Sequence, residues 1–357
     1  MSQLNTDCQV NTVIQTDHGQ HSDIVEVWQH NFEEEMGRIQ VLLAKYNYVA
    51  MDTEFPGVYL QGDHITGYTL IKSNVDLLKL IQVGITLADE KGVSPKPTST
   101  WQFNLRFDLA QDYHAPDSIS MLKEAGINFD ELAEKGIDPH YFADEMLSSG
   151  LVLCEDIHWI TFHGAFDFAY FIKVLSNLAL PSTLEKFKTL LKVYFPSVVD
   201  IKILLKEITD LKNGALSKLA RDLDLKRIGT MHQAGSDAEI TLRCFFKLKE
   251  QYFEDGIKDK LWNKVFGLAG EYLASPTNPA QTLAAQQPGM PSAHDIQRLN
   301  MYGAYTHAQP MNYYGFTGND MQSSYYFNQI EIPIMYPAMH ANVQQKQPDY
   351  SASGFKF

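Results

Sequence analysis

Two carboxylates lie one residue apart in this chain, Asp52 and Glu54, at the end of an apolar stretch that begins at Tyr48. That stretch has the composition of a β-strand. Because side chains alternate along a strand, we expect both carboxylates to point to one face. Two like charges held side by side need a cation. The alternative interpretation is a strand that ends in a solvated acidic loop, and the tripeptide alone does not separate the two.

Two further aspartates, Asp167 and Asp237, stand on the apolar faces of predicted helices. The residues that share these faces are Tyr170, Phe171, Val174 and Leu175 for the first and Ile240, Thr241, Cys244, Phe245 and Leu248 for the second. An unpaired carboxylate on a buried face takes up a proton, a cationic side chain or a metal ion. Each aspartate could instead interact with the helix macrodipole, and Ser236 and Glu239 have the spacing of a capping box.

A histidine precedes the second of these helices, and Gly235 can bring His232 close to Asp237. Four carboxylates from separate elements can supply the oxygen ligands of two divalent ions, and oxygen ligands favour Mg²⁺ or Mn²⁺ over zinc. An imidazole can take a proton from an attacking water near neutral pH. The set therefore predicts metal-dependent phosphodiester hydrolysis with His232 as the general base.

The composition limits the class of protein. The chain has 357 residues with 45% hydrophobic content, and its three cysteines contain no CxxC pair. We expect a reducing environment and a soluble, unsecreted protein, because no leader and no apolar run of roughly 20 residues is found. The net charge of -14 argues against a broad basic surface for phosphate. It does not exclude a nuclease that handles phosphate through metal ions.

Periodicity predicts the elements that position these residues. We expect a flexible N-terminus over residues 1–22, a folded domain over 23–270 and a low-complexity, disordered tail over 271–357, which is rich in tyrosine. An amphipathic helix is predicted from Ile24 to Leu43. The predicted strands are Tyr48–Glu54, Leu80–Leu87, Thr98–Phe103 and His158–Phe162, and the predicted helices are Ser118–Ala125, Pro139–Ser149, Ala165–Leu178, Leu184–Val193, Leu216–Leu223 and Ser236–Gln251. This order predicts an α/β fold, a mixed sheet flanked by helices in three layers.

In their order, the four acids and the histidine resemble the DEDD superfamily of 3′ to 5′ exonucleases, in the subgroup that uses histidine. Longer strings resemble the Caf-type deadenylases, which are poly(A)-specific ribonucleases of the CCR-NOT complex. These strings are Lys45 to Gly57, Asn74 to Lys79, Ser99 to Asn104 and His232 to Asp237, within a resemblance that spans about Ile24 to Leu268.

The resemblance implies a ribonuclease-H-like fold and removal of mRNA poly(A) tails with release of AMP. It assigns two Mg²⁺ or Mn²⁺ ions to Asp52, Glu54, Asp167 and Asp237, and the role of base to His232. It also implies poly(A) RNA as substrate and a cytoplasmic location, including processing bodies, as well as a nuclear one. The implied partners are the large scaffold subunit of the complex, a second deadenylase and BTG/Tob proteins, with no membrane.

Three points stay open from the sequence. The family usually has Phe-His-Ser-Gly-Tyr-Asp, whereas this chain has Gly164, Ala165 and Phe166 before Asp167, so we expect an altered turn with activity retained. Phe55 can stack on the terminal nucleotide, or it can be a core residue on the opposite face of its strand. The competing functions are a largely scaffolding subunit with a vestigial site and an exonuclease of the same superfamily that acts on DNA.

Overall fold

A computed structural model describes residues 24–62, 65–211 and 214–268 of the chain. The N-terminus over 1–22, predicted to be flexible, and the tail over 271–357, predicted to be disordered, lie outside these ranges. The described residues contain a mixed six-stranded sheet with the spatial strand order β1-β4-β3-β2-β5-β6. Its strands are β1 (Ile24–Val27), β2 (Tyr48–Glu54), β3 (Gln82–Ala88), β4 (Thr100–Asn104), β5 (His158–Thr161) and β6 (Ser197–Asp200).

The strand directions follow from these pairings. Strand β2 runs antiparallel to β3, and β3 runs antiparallel to β4. The other three pairs, β1 with β4, β2 with β5 and β5 with β6, are parallel. The central strands β2 and β3 are largely buried, since helices cover both faces of the sheet.

Ten α-helices surround the sheet within the described ranges. They are α1 (Phe32–Leu43), α2 (Gly67–Leu77), α3 (Pro116–Glu124), α4 (Phe129–Lys135), α5 (Pro139–Ser148), α6 (Ala165–Ser176), α7 (Leu184–Tyr194), α8 (Ile201–Leu204), α9 (Leu216–Asp222) and α10 (Ala234–Tyr252). None of the described helices is both long enough and apolar enough to cross a membrane.

Eight of these helices form two layers, each with its own apolar core, and α3 and α4 contribute to a third, smaller apolar cluster. Helices α1, α2, α5, α6 and α7 pack on one face, which receives Val49 and Met51 of β2. Helices α8, α9 and α10 pack on the other, which receives Ala50. The alternation of β2 therefore directs Asp52 and Glu54 to the face of α10, and Thr53 to the face of α6. The predicted three-layer arrangement is confirmed.

The predicted helix from Ile24 to Leu43 is wrong over residues 24–31. Residues Ile24–Val27 form β1, which pairs with β4, and the helix begins only at Phe32. Asn31 interrupts the helical pattern, because its side-chain oxygen accepts a 2.7 Å hydrogen bond from the N–H of Trp28 and its amide donates to the carbonyl of Glu26. The alternating sequence of β1 is too short to be separated from a helix by periodicity.

The remaining differences concern short elements. Periodicity did not predict α2, α4, α8 or β6, all of which have 11 residues or fewer. The other predicted strands and helices are present with boundaries shifted by a few residues. These short elements take their conformation from the layers they pack against, so their own sequences carry a weak signal.

Candidate active site

The paired carboxylates lie at the carboxyl end of β2, as predicted. Asp52 is opposite Gly84 of β3 in the sheet register, and Glu54 is opposite Gln82. Only a glycine fits at position 84, because a Cβ there would lie 1.9 Å from the carbonyl oxygen of Ala234. The first turn of α10 consequently rests directly on the strand beside Asp52 and Glu54.

Asp167 enters the site from the opposite layer, in the first turn of α6. It is 7% exposed. Its Oδ1 accepts two hydrogen bonds from Thr53, one from the backbone N–H at 3.0 Å and one from the hydroxyl at 2.6 Å. Thr53 stands between Asp52 and Glu54, so these bonds hold the third carboxylate beside the first two.

Asp237 and His232 complete the group from the side of α10. The backbone N–H of His232 donates a 2.9 Å hydrogen bond to Oδ2 of Asp237. One ligand atom each from Glu54, His232 and Asp237 lie within 4.8 Å of one another. His232 has a φ of 64°, a left-handed conformation that a histidine adopts only where its surroundings hold it.

The alternative interpretation of Ser236 and Glu239 as a capping box does not agree with the structure. The helix begins at Ala234, so Ser236 lies inside it, and its hydroxyl donates instead to the carbonyl of Ile228 at 2.6 Å. Glu239 accepts from Arg243 one turn later in the helix. Neither residue caps the helix, which removes the capping interpretation from this motif.

Arg227 contacts the acidic group and was not predicted from the sequence. Its guanidinium donates to Oδ1 of Asp237 and, at 3.2 Å, to the hydroxyl of Ser236. Side chains of α10 also bind the two neighbours of Arg227. Arg243 donates to the carbonyl of Lys226, and Ser236 donates to the carbonyl of Ile228. Arg227 lies ten positions before Asp237, and this spacing is not typical of any element that would bring the two side chains together.

Burial and neighbouring charges raise the pKa values of Asp52 and Glu54. Burial is the main cause for Asp52 and Glu54, and the charges of Asp167 and Asp237 add to it, so both pKa values lie well above their ordinary range. Asp52 keeps part of its surface exposed, but protein atoms crowd its carboxylate. Burial raises the pKa of Asp167 to about 6, although the Thr53 hydrogen bonds oppose that shift. Arg227 lowers the pKa values of Asp52 and Glu54.

A further aspartate, also missed from the sequence, holds the turn before Asp167. The carboxylate of Asp200 is fully buried and accepts hydrogen bonds from the backbone N–H groups of His163 and Gly164, both at 3.0 Å, and of Phe266 at 2.9 Å. Lys202 donates a fourth such bond. Asp200 thereby ties β6, the turn between β5 and α6, and the chain near residue 266 together.

The altered turn itself has a steric reason. A Cβ at position 164 would lie 2.6 Å from both Oγ1 and Cγ2 of Thr161, so no side chain fits there without movement of Thr161. Gly164 is therefore matched to its threonine neighbour. The backbone of the turn keeps its hydrogen bonds to Asp200, and Asp167 reaches the cluster.

Phe55 follows Glu54 and is half-buried. The rings of Phe166 and Tyr170 stack on it, with centroids 5.4 and 4.8 Å away. It thus packs against the core, in agreement with one of its two predicted roles. Contact between its exposed part and a nucleotide stays a prediction.

The donor set fits divalent metal ions that prefer oxygen ligands. The residues are four carboxylates, three of them below 10% exposed, with an imidazole beside two of them. The raised pKa values of Asp52, Glu54 and Asp167 show that these carboxylates lack sufficient positive charge nearby, although the guanidinium of Arg227 lowers the pKa values of Asp52 and Glu54. Cysteine, the usual partner of zinc, is absent from the group.

The sheet, its two helical layers and the acids at the end of β2 define a nuclease with a ribonuclease-H-like fold. The sequence profile of the CAF1 family ribonucleases matches residues 27–149 and 151–245. The chain belongs to this family, and it is a ribonuclease.

Individual relatives support that assignment. The chain is 41% identical over 281 residues to the poly(A) ribonuclease pop2 of Schizosaccharomyces pombe, covering 77% of this chain and 84% of that protein. The Mg²⁺- and Mn²⁺-bound structure of S. pombe Pop2p matches with a TM-score of 0.66 and 43% identity, over 68% of this chain and 99% of that one. A structure of the yeast NOT1 MIF4G domain co-crystallised with CAF1 matches with a TM-score of 0.61 and 30% identity, over 68% and 96%.

Proposed function

We propose that this protein is a 3′ to 5′ exoribonuclease that shortens the poly(A) tails of mRNA by hydrolysis and releases AMP. The observation that carries the proposal is the meeting of all four acids and His232 at one end of β2. The identity to a poly(A) ribonuclease, over most of both chains, supports the choice of substrate.

Two divalent ions, Mg²⁺ or Mn²⁺, are the proposed cofactors, held by Asp52, Glu54, Asp167 and Asp237. A relative has been solved with both metals. When bound, such ions supply positive charge for the phosphodiester and its leaving oxygen. The role of His232 is to take the proton of the attacking water, and the hydrogen bond from its backbone N–H to Asp237 fixes the segment that carries it.

The proposed partners are poly(A) RNA, the scaffold subunit of the CCR-NOT complex, a second deadenylase and BTG/Tob proteins. Support for the scaffold comes from the relative that was crystallised with a NOT1 domain. The second deadenylase, the BTG/Tob proteins and a location in the cytoplasm, processing bodies and nucleus rest on the family resemblance.

The second candidate, a mainly scaffolding subunit, would not need an intact site. The hydrogen bonds from Thr53 to Asp167 and from His232 to Asp237 argue against it, because they maintain geometry that a vestigial site has no reason to keep. An exonuclease acting on DNA would use the same acids, so this alternative is left to the assay.

The test is release of AMP from a 5′-labelled RNA with a 3′ oligo(A) end, using the full chain with Mg²⁺ or Mn²⁺. Asp52→Asn should lower the rate at least about 100-fold, since even groups that only orient metal ligands are worth about 10- to 100-fold. Asp144→Asn, an exposed aspartate on α5, is the matched control and should act like the wild type.

Matched substrates separate the alternatives. RNA ending in oligo(C) and DNA ending in oligo(dA) should be shortened more slowly than oligo(A) RNA. Equal rates with Asp52→Asn and the wild type would refute the assignment of the site. A wild-type protein that binds the NOT1 MIF4G domain but releases no AMP would establish the scaffolding function instead.

A further inference from the structure

Side chains of the sheet accept hydrogen bonds from the first N–H groups of α10, the helix that follows His232. The first N–H groups of a helix lack partners inside the helix, and the side chain of the N-cap residue of α10, Gln233, makes no capping hydrogen bond. Gln102 of β4 instead accepts a 2.8 Å hydrogen bond from the N–H of Gly235. Gln82 of β3 accepts from the N–H of Ala234 at 3.4 Å. Both glutamines are buried, at 2% and 3% exposed.

A single carboxylate sets the direction of these hydrogen bonds. The amide nitrogen of Gln102 donates to Oε1 of Glu26 at 2.9 Å, and that of Asn104 donates to Oε2 of the same residue at 2.8 Å. A carboxylate only accepts, so both amides must turn their nitrogen toward Glu26. The oxygen of Gln102 then faces α10. The oxygen of Asn104 faces Gln82 at 2.7 Å, which in turn presents its own oxygen to Ala234.

The amide network also reaches the residue next to the histidine. The nitrogen of Gln102 donates to the side-chain oxygen of Gln233 at 2.6 Å, and the nitrogen of Gln233 donates to the carbonyl of Ala125 at 2.9 Å. There is little room for adjustment, since a Cβ at Gly235 would lie 2.8 Å from Cγ2 of Ile24 and 3.1 Å from Cβ of Gln102.

His232 and Asp237 lie on either side of these anchored residues. His232 needs external support for its left-handed conformation, and the anchors are on the three residues that follow it. Misplacement of a catalytic group by about 1 Å can cost on the order of 100-fold in rate. We propose that Gln102 and Glu26 are positioning residues, which orient the His232–Asp237 segment through a directed amide network. The inference rests on the proposed function of that segment in phosphodiester hydrolysis.

The test compares four variants of the full chain by kcat and KM on oligo(A) RNA. Gln102→Met removes the acceptor for Gly235 and both donated bonds at nearly constant size, and kcat should fall roughly 10- to 100-fold. Glu26→Gln removes the charge that directs the amides, and kcat should fall about 3- to 10-fold because Glu26 is exposed and water competes. KM should stay within about twofold in both, since neither residue lies among the acids.

A charge exchange provides the decisive comparison. Gln102→Glu alone places a second carboxylate against Glu26 and should lower kcat as much as Gln102→Met. In the double variant Glu26→Gln/Gln102→Glu, one carboxylate again accepts from Gly235 and from its neighbour, but the bond that Gln102 donates to Gln233 is not restored. We therefore expect kcat to recover in part, to about 3- to 10-fold above that of Gln102→Glu, which a mere loss of packing would not allow.

Two controls separate positioning from stability and from the proposed function. Leu132→Ala, in the apolar cluster of α3 and α4, should lower Tm without changing kcat well below Tm. Hydrogen exchange of residues 229–240 should be faster in Gln102→Met and Glu26→Gln than in the wild type. Unchanged kcat or unchanged exchange in these two variants would overturn the inference. A wild type without AMP release would refute the proposed function alone, because exchange still reports on the network.

Discussion

Thr53 donates two hydrogen bonds to one oxygen of Asp167, from its backbone at 3.0 Å and from its hydroxyl at 2.6 Å. These two residues are 114 positions apart, and they join the strand that carries the acid pair to the helix of the opposite layer. Because the bonds favour the ionised form of Asp167, they oppose the effect of burial on its pKa.

Thr53→Val should make the enzyme more sensitive to acid. The variant keeps the backbone donor and the side-chain volume but loses the hydroxyl, so the pKa of Asp167 should rise above its present value of about 6. The acid limb of the plot of kcat against pH should move to higher pH, with a larger loss of rate at pH 6 than at pH 8. Thr53→Ser keeps the hydroxyl and should retain the wild-type profile. Superimposable profiles for all three proteins would contradict this prediction.

Removal of divalent ions should make the protein less stable at high pH than at mildly acidic pH. A carboxyl group whose folded-state pKa is raised favours the folded state while it is protonated, and this contribution is lost as the pH rises through the folded-state pKa. Asp52, Glu54 and Asp167 all have raised pKa values. We expect a higher Tm near pH 5 than at pH 8 in EDTA, and a smaller difference with Mn²⁺ present.

The same reasoning predicts that an inactive variant is the more stable one. Asp52→Asn removes one of the competing charges, so its Tm in EDTA at pH 8 should exceed that of the wild type by about 2–4 °C, which corresponds to about 1 kcal/mol in a domain of this size. The gain should shrink at pH 5, where the wild-type carboxyls are partly protonated. Asp144→Asn should show no gain, and a lower Tm for Asp52→Asn than for the wild type would contradict the expected repulsion.

Gly164→Ser should destabilise the turn before Asp167. The new Cβ meets Oγ1 and Cγ2 of Thr161 at 2.6 Å, and overpacking of this kind costs about 1–3 kcal/mol. Thr161→Ala removes both atoms, so the double variant should recover most of the free energy of unfolding measured in urea. Gly164→Ser should also lower kcat, because the turn leads into the helix that carries Asp167.

A glycine in open space provides the control for this substitution. Gly37, on the exposed face of α1, has no atom within 4 Å of its ideal Cβ, and Gly37→Ser should not lower stability. An additive double-mutant cycle for Gly164→Ser and Thr161→Ala would show that the two positions are independent and would contradict the steric match.

Local periodicity explains which parts of the site could be predicted. The shared face of Asp52 and Glu54 follows from alternation in a strand, and the inward position of Asp167 and Asp237 follows from helical spacing, so neither needs knowledge of distant residues. The sheet with its flanking layers could be predicted because long apolar segments determine it. Residues Ile24–Val27 form a strand instead of the predicted helix because they pair with β4, which lies about 75 residues away in the sequence.

The supporting contacts had no such local signal. Arg227 contacts Asp237 from the segment before α10, Asp200 binds the turn before Asp167 from the end of β6, and Gln102 acts on a helix 133 residues later in the chain. Hydrogen bonds of this kind join residues of no fixed spacing, because the tertiary fold alone brings them together. The sequence therefore predicted the acids and the histidine but not the residues that hold them.

The bond from the N–H of Phe266 to Asp200 also decides how much chain the nuclease needs. The family profile ends its match at residue 245, within α10. Beyond it, Val265 and Leu268 join the main core, and Asn263 donates to and accepts from the backbone of Val198. A protein shortened at residue 245 would keep the four acids and His232. It would lose the hydrogen bond from Phe266 to Asp200, the residue that holds the turn before Asp167. We therefore expect the minimal active unit to extend through Leu268, some twenty residues past the end of the family-profile match.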